Sequence, residues 1–124
     1  MMNNNLKHEI MWWMSRLTIM MTSLFLSMTL AAQAYAAEIQ MGYEGNLVFE
    51  PNEISISAGD TVTFINNALP PHNIIVDGRA DLSRESLMFS PGETQEIKFA
   101  EAGDYNFKCA PHEGAGMKGV IHVS

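Results

Sequence analysis

Short segments in which apolar and polar residues alternate recur along most of this chain, and they constrain its fold more than any other feature. A period of two residues places every second side chain on the same face of an extended strand. The alternating apolar positions are Ile54 and Ile56, Val62 and Phe64, Ile97 and Phe99, Tyr105 and Phe107, and Ile121 and Val123. Turn-forming Gly, Pro, Asn and Asp residues separate the segments. The pattern predicts an all-β fold, a Greek-key β-sandwich of about seven or eight strands.

No amphipathic run in this part of the sequence is long enough to predict a helix, although residues 81–87 are sufficient for a single helical turn. The two ends of a sandwich gather loops that are distant in sequence. We therefore expect a functional site, if the chain has one, at one end of the sandwich.

The first 36 residues show the order of features found in a secretory signal peptide. Lys7 and Arg16 are basic, residues 17–32 are nearly all apolar, and small residues follow up to Ala36. This order predicts cleavage after Ala36, which leaves an exported domain of residues 37–124 with no stable membrane insertion. An uncleaved membrane anchor is the alternative, but the 16-residue apolar run is shorter than the roughly 20 residues that span a bilayer.

The predicted mature domain is acidic. Residues 37–124 contain thirteen Asp or Glu and five Lys or Arg, which gives a net charge of −8. Such a charge argues against nucleic acid as a partner and favours encounter with a basic protein surface, at rates that fall as salt rises.

Cys109 is the only cysteine, so an internal disulfide is excluded, and an unpaired cysteine in a secreted chain requires an explanation. It begins a C-x₂-H-x₄-M pattern with His112 and Met117, directly after a predicted strand. Glycine and proline residues between them allow the loop to fold back on itself. His72 follows two prolines that restrict its backbone, and it is the candidate for a fourth ligand.

Two imidazoles, one thiolate and one thioether form the ligand set of a blue-copper site. Taken singly, such residues are more often buried structural groups, so the combination carries the prediction. Zinc is the competing metal, but structural zinc sites rarely use a thioether ligand and usually hold more than one Cys. We predict one copper ion alternating between Cu(I) and Cu(II). An enzyme is not predicted, because copper catalysis needs an open coordination position or further metals and the sequence has no second His and Cys cluster.

These residues lie in segments that resemble the plastocyanins, a family of blue-copper cupredoxins. CAPHEGAGMKG resembles their copper loop and NNALPPHNI their upstream histidine loop, while GNLVFEPNEISISAGDTVTFINN and FSPGETQEIKFAEAGDYNF are similar to segments of the cyanobacterial type. The resemblance implies a soluble carrier that moves electrons from cytochrome f to photosystem I in the thylakoid lumen. It also implies copper ligation by His72, Cys109, His112 and Met117, with Asn73 steadying the cysteine loop.

The same resemblance implies that a monomer docks through the exposed edge of His112, inside a flat apolar patch. The candidates for that patch are Leu69, Pro70, Pro71, Ala110, Pro111, Gly114, Ala115 and Gly116. Lys108 stands where plastocyanins place a tyrosine associated with partner docking. Lys108 and the segment DTVTFI also resemble pseudoazurins, so a periplasmic electron donor to a respiratory enzyme is one alternative. A periplasmic copper-storage or delivery protein is another.

Overall fold

The computed structural model describes residues 3–25, 36–68 and 70–124, and for residues 17–25 the backbone alone. The chain divides into two compact units, Met1–Gln33 and Ala34–Ser124. In the first unit, helix α1 spans Asn4–Phe25. Most of the predicted cleavage region lies outside the described residues, so the signal peptide stays a prediction. Across the described residues, we find no helix with the length and hydrophobicity needed to span a lipid bilayer.

The described residues of the second unit form nine strands and two short 3₁₀ segments. The strands are β1 Ala36–Met41, β2 Phe49–Glu50, β3 Glu53–Ile56, β4 Thr61–Asn66, β5 His72–Val76, β6 Arg84–Met88, β7 Thr94–Lys98, β8 Gly103–Lys108 and β9 Lys118–Val123. They form a four-stranded sheet in the order β2-β1-β4-β7 and a five-stranded sheet in the order β3-β9-β8-β5-β6. The predicted β-sandwich is confirmed, with one or two strands more than expected.

The connections explain how distant parts of the chain meet. The chain passes from one sheet to the other between β2 and β3, β3 and β4, β4 and β5, β6 and β7, and β7 and β8. β1 pairs in parallel with β4, and β3 pairs in parallel with β9. In the five-stranded sheet β8 lies between β5 and β9 and is antiparallel to both, so the end of β8 lies beside the starts of its two neighbours.

Aromatic packing between the sheets fixes the orientation of β8. The Phe107 ring centroid lies 4.7 Å from that of Phe49 and 5.5 Å from that of Phe64, both in edge-to-face geometry, an arrangement that adds to the burial energy of the rings. Gly119 gives this ring its space, because a Cβ at that position would lie 2.6 Å from the Phe107 ring. Since alternate residues of a strand share a face, Cys109 points into the same interior as Phe107.

The helical turn considered for residues 81–87 is not observed as such. A turn closes earlier, where the amides of Leu82 and Ser83 both donate to the carbonyl of Arg79 at 3.1 Å. From Arg84 the chain is a strand that pairs with β5. Backbone pairing with a neighbouring strand determines the conformation of this segment, and that pairing cannot be predicted from the local sequence.

His122 links three strands on the outer face of the five-stranded sheet. Its Nδ1 lies 2.6 Å from Asp104 Oδ1 on β8, and its Nε2 lies 2.8 Å from Glu53 Oε1 on β3. Hydrogen bonding to Asp104, and then to Glu53, raises the pKa of His122 above its ordinary 6.5. The imidazolium is thus the form that these carboxylates stabilise.

This cluster predicts a pH-dependent contribution to stability. Because the pKa is raised in the folded state, the contribution is fully present below pH 6.5, while the carboxylates remain ionised, and is lost as the pH rises through the raised value. Denaturant unfolding of the native chain and of His122→Gln across this pH range measures it. We expect the two unfolding free energies to converge at high pH, and a constant difference at every pH would contradict the assignment.

Candidate metal centre

Three strand ends bring the predicted ligands to one end of the sandwich. His72 is the first residue of β5, Cys109 follows the last residue of β8, and Met117 precedes the first residue of β9. His112 lies in the 3₁₀ segment Ala110–Ala115, which connects β8 to β9. The antiparallel register therefore places residues separated by up to 45 positions at the same pole.

The ligand atoms of three of these side chains converge. Cys109 Sγ lies 3.4 Å from His112 Nδ1 and 3.7 Å from His72 Nδ1, and the two Nδ1 atoms are 3.1 Å apart. Metal bonds of roughly 2.0–2.3 Å to nitrogen and sulfur separate neighbouring ligand atoms by about 3–4 Å. One sulfur and two imidazole nitrogens at this spacing suit a single copper ion. His72, Cys109 and His112 thus form a candidate copper site.

The environment of the site is largely dry. His72, Cys109 and Met117 have no solvent-exposed surface, whereas His112 is half-buried. Burial lowers the pKa of His72, and the neighbouring His112 charge lowers it further, so the neutral imidazole that metals bind is favoured. Among the four predicted ligands, His112 alone presents an edge to solvent.

Cys109 must lose its proton to become a metal ligand, and a positive charge beside the sulfur favours that loss. Burial raises the pKa of its thiol, while hydrogen bonds from the backbone N–H groups of Asn73 and His112 oppose that rise. A metal ion binds thiolate rather than thiol, so binding must displace the proton. Two N–H groups aimed at the sulfur lower the cost of the thiolate once a cation is present.

The loop between Cys109 and Met117 folds back on itself. The amide of Cys109 donates to the carbonyl of Met117 at 3.0 Å, and the amide of Met117 donates to the carbonyl of His112 at 3.2 Å. Gly116 has a φ of +87°, a left-handed conformation that glycine adopts without steric cost. These bonds hold Met117, the predicted fourth ligand, against the backbone of two other predicted ligands.

Asn73 ties this loop to the sheet. Its Oδ1 accepts a hydrogen bond from the Ala110 amide at 2.8 Å, and its Nδ2 donates to the Glu85 carbonyl at 3.0 Å. The side chain is buried, so each lost bond would leave a backbone group unsatisfied. Asn73 thereby joins β5 and β6 to the residue after Cys109, which is the position expected of a residue that steadies the cysteine loop.

Residues 36–124 match the family described as copper binding proteins, plastocyanin/azurin family. The chain belongs to this family. A plastocyanin from the moss Physcomitrium patens is 44% identical over 107 residues, covering 79% of this chain and 64% of the relative. A plastocyanin from Scenedesmus fuscus is 48% identical over 87 residues, covering 64% of this chain and 89% of the relative.

Solved structures agree with this assignment. Oxidised plastocyanin from the fern Dryopteris crassirhizoma superposes with a TM-score of 0.64 and 32% identity, covering 71% of this chain and all of the fern protein. The predicted resemblance to plastocyanins is confirmed at the level of the family. The narrower similarity to cyanobacterial members stays a prediction.

The residues predicted to form the apolar patch of this plastocyanin relative are mostly accessible. Pro71 is half-buried and Leu69 lies outside the described residues. The exposed members are Pro70, Ala110, Pro111, Gly114, Ala115 and Gly116. Ala110, Pro111, Gly114 and Ala115 belong to the 3₁₀ segment that contains the half-buried His112, and Gly116 follows it.

Lys108 lies on the opposite face of β8 from Cys109. Its Nζ is 3.1 Å from Glu113 Oε1 and 3.8 Å from Asp77 Oδ1. Hydrogen bonding to Glu113 is the main cause that raises the pKa of Lys108. The ammonium is therefore matched by carboxylates of the same molecule and does not present an unpaired positive charge to a partner.

The sequence did not reveal two residues beside the pole. Gly42 lies against the His72 ring, and Phe89, directly after the Met88 that pairs with His72, is 59% exposed. A glycine after an alternating segment indicates a turn but not which side chain it contacts. An aromatic residue in a strand pattern is expected to lie in the core. The register of the edge strand β6 instead leaves the Phe89 side chain exposed.

Proposed function

We propose that residues 37–124 form a soluble, monomeric one-electron carrier, with a single copper ion bound by His72, Cys109, His112 and Met117. The observation that carries the proposal is the 3.1–3.7 Å triangle of one sulfur and two imidazole nitrogens. The bound ion would supply the one-electron Cu(I)/Cu(II) couple. Membership of a copper-binding family and the similarity to plastocyanins support the choice of metal.

The protein side of this function is a fixed and water-poor ligand set. Each proposed ligand lies at the end of a strand or in a loop closed by backbone hydrogen bonds, so the nitrogen and sulfur atoms have little freedom to move. A geometry that changes little between the two oxidation states keeps the barrier to electron transfer small. Burial of His72 and Cys109 restricts exchange of the metal, which favours a carrier over a storage or delivery protein.

A carrier is favoured over an enzyme by the way the site is closed. Copper enzymes need an open coordination position or further metal ions. In the described part of the chain, the cluster of His72, Cys109 and His112 is the one group of His, Cys and acidic residues with metal-binding spacing. Its half-buried His112 edge is suited to passing electrons to a partner rather than to admitting a substrate.

We further propose that the chain moves electrons from cytochrome f to photosystem I in the thylakoid lumen. The names of the relatives, plastocyanin in moss and alga, support this pathway. Export would follow from cleavage of residues 1–36, with a periplasmic location as the alternative. Docking would use Pro70, Pro71, Pro111 and neighbouring small residues around His112, and a flat apolar contact suits brief encounters.

The partner assignment is tested by kinetics with the copper-loaded protein. Stopped-flow reduction by cytochrome f and flash oxidation by photosystem I particles give both rates, with Pro111→Glu as a variant that alters the docking surface and Ser55→Glu, on the exposed part of β3, as its control. We expect fast reaction with both partners, slowed in the Pro111 variant alone. Slow reaction of the native protein with both would contradict the photosynthetic role and leave a periplasmic carrier.

The axial role of Met117 predicts a change in potential without loss of the metal. Replacing Met117 with glutamine exchanges a weak thioether for an amide oxygen, and the axial ligand tunes the potential of blue-copper sites. We expect Met117→Gln to retain one copper and to shift the reduction potential measured by protein-film voltammetry. Ile97→Gln is the control because that residue is also buried but belongs to β7 of the four-stranded sheet, which carries none of the proposed ligands. An unchanged potential in Met117→Gln would exclude the thioether as a ligand.

A further inference from the structure

Gly42, the residue after β1, lies in direct contact with the His72 ring. It is buried and has a φ of +76°. A Cβ built on Gly42 would lie 2.8 Å from His72 Nε2 and 3.4 Å from the Cβ of Ala68. Ordinary van der Waals contacts of a Cβ are 3.4 Å or longer. Any side chain at this position would therefore require the ring to shift by at least about 0.6 Å, from 2.8 Å to 3.4 Å.

The ring has little else to hold it on that side. His72 Nε2 is buried and has no hydrogen-bond partner among the described residues. Its other nitrogen, Nδ1, lies among the ligand atoms, 3.1 Å from His112 Nδ1 and 3.7 Å from Cys109 Sγ. Because the two nitrogens belong to one rigid ring, packing against Gly42 at Nε2 limits where Nδ1 can lie. A histidine in a metal site is more commonly fixed by a hydrogen bond to its distant nitrogen.

We propose that Gly42 is a positioning residue for the metal centre: the absence of a side chain there sets the depth of the His72 ring, and with it the separation of His72 Nδ1 from Cys109 Sγ. The inference rests on the proposed function, because the separation matters only if these atoms share an ion. The turn after β1 would thereby contribute to the metal site, although it holds no residue of the ligand pattern.

The same turn supplies a matched control. Gly45 has a φ of +78°, nearly that of Gly42, but a Cβ there meets no atom within 4 Å. Gly42→Ala and Gly45→Ala therefore impose a similar backbone strain, and they differ in whether the new methyl group meets the His72 ring. Any effect confined to the first variant reports on that contact.

The experiment compares the native chain with both variants, with and without copper. For Gly42→Ala we expect copper affinity to fall about 10–100-fold, the range seen when groups that support a metal ligand are lost, together with a changed visible and electron paramagnetic resonance spectrum. In the metal-free protein, the NMR shifts of the His72 ring should move. Gly45→Ala should lose similar folding stability and keep the native spectra and affinity.

Native-like affinity, spectra and His72 ring shifts in Gly42→Ala would overturn the inference. A native chain that binds no copper would overturn the proposed function instead, and the ring shifts of the metal-free variants would still test the contact. If Gly42→Ala fails to fold, the double variant with His72→Ala decides the matter. Recovery of folding in the double variant supports the contact, and continued failure to fold overturns it.

Discussion

Replacing Cys109 with serine is expected to abolish the intense visible absorption of the Cu(II)-loaded protein while leaving the sandwich folded. The band requires a thiolate bonded to copper, and Cys109 is the only cysteine in the chain. Serine has nearly the same shape, so β8 and the following loop can keep their conformation. Burying a hydroxyl in place of the less polar thiol costs at most about 1–3 kcal/mol, so we expect a modest fall in the unfolding free energy.

Absorption and circular dichroism spectra measure the two parts of this prediction separately. His122→Gln is the control, because that histidine lies on the outer face of the sheet and binds carboxylates rather than the predicted ligands. The control should keep the full band. A serine variant that kept the band would show that the thiolate is not a copper ligand.

Copper is expected to raise the thermal stability of the domain by a large margin. The native state assembles a site that the unfolded chain lacks, so a ligand at about 1,000 times its dissociation constant adds roughly 4 kcal/mol. For a domain of this size, 1 kcal/mol corresponds to about 4–8 °C, which predicts a rise of roughly 15–30 °C. Copper binding to the Cys and His side chains of the unfolded chain reduces the rise.

Differential scanning calorimetry of the metal-free and copper-loaded protein measures this rise. The Cys109→Ser variant is the control, since it retains the fold and loses a principal ligand. We expect its melting temperature to respond much less to copper. Equal melting temperatures of the native protein with and without copper would contradict specific binding to the folded state.

The fold was predictable because its apolar residues follow a two-residue period. Ile97, Phe107 and Ile121 face the core as the alternation indicates, so the sequence defines which face of each strand is buried. Pairing partners were not predictable in the same way. β6 forms where residues 81–87 allow a helical turn, because its hydrogen bonds go to β5.

The local part of the site was readable from the spacing of Cys109, His112 and Met117, since a short loop after a strand can fold back on itself. The place of His72 was a different matter. It lies 37 positions from Cys109, and the register of β5 against β8 brings the two within 3.7 Å. The two prolines before His72 made it a candidate ligand and the resemblance to a known family supported that choice, but periodicity alone could not define the register of β5 against β8.

The contacts that support the ligands were harder to predict. Asn73 beside the histidine was anticipated through the resemblance, but its second hydrogen bond, to the Glu85 carbonyl, depends on a bulge between β5 and β6. Gly42 gave no signal of its role, because a missing side chain is meaningful only when the neighbouring side chain is known.

X-ray absorption at the copper edge of the loaded mature protein measures which atoms bind the ion. One Cys sulfur and two His nitrogens from separate loops are proposed to share one ion. We expect a single short copper–sulfur distance and two nitrogen neighbours, with the sulfur signal absent in Cys109→Ser. A copper environment of nitrogen and oxygen alone in the native protein would contradict it.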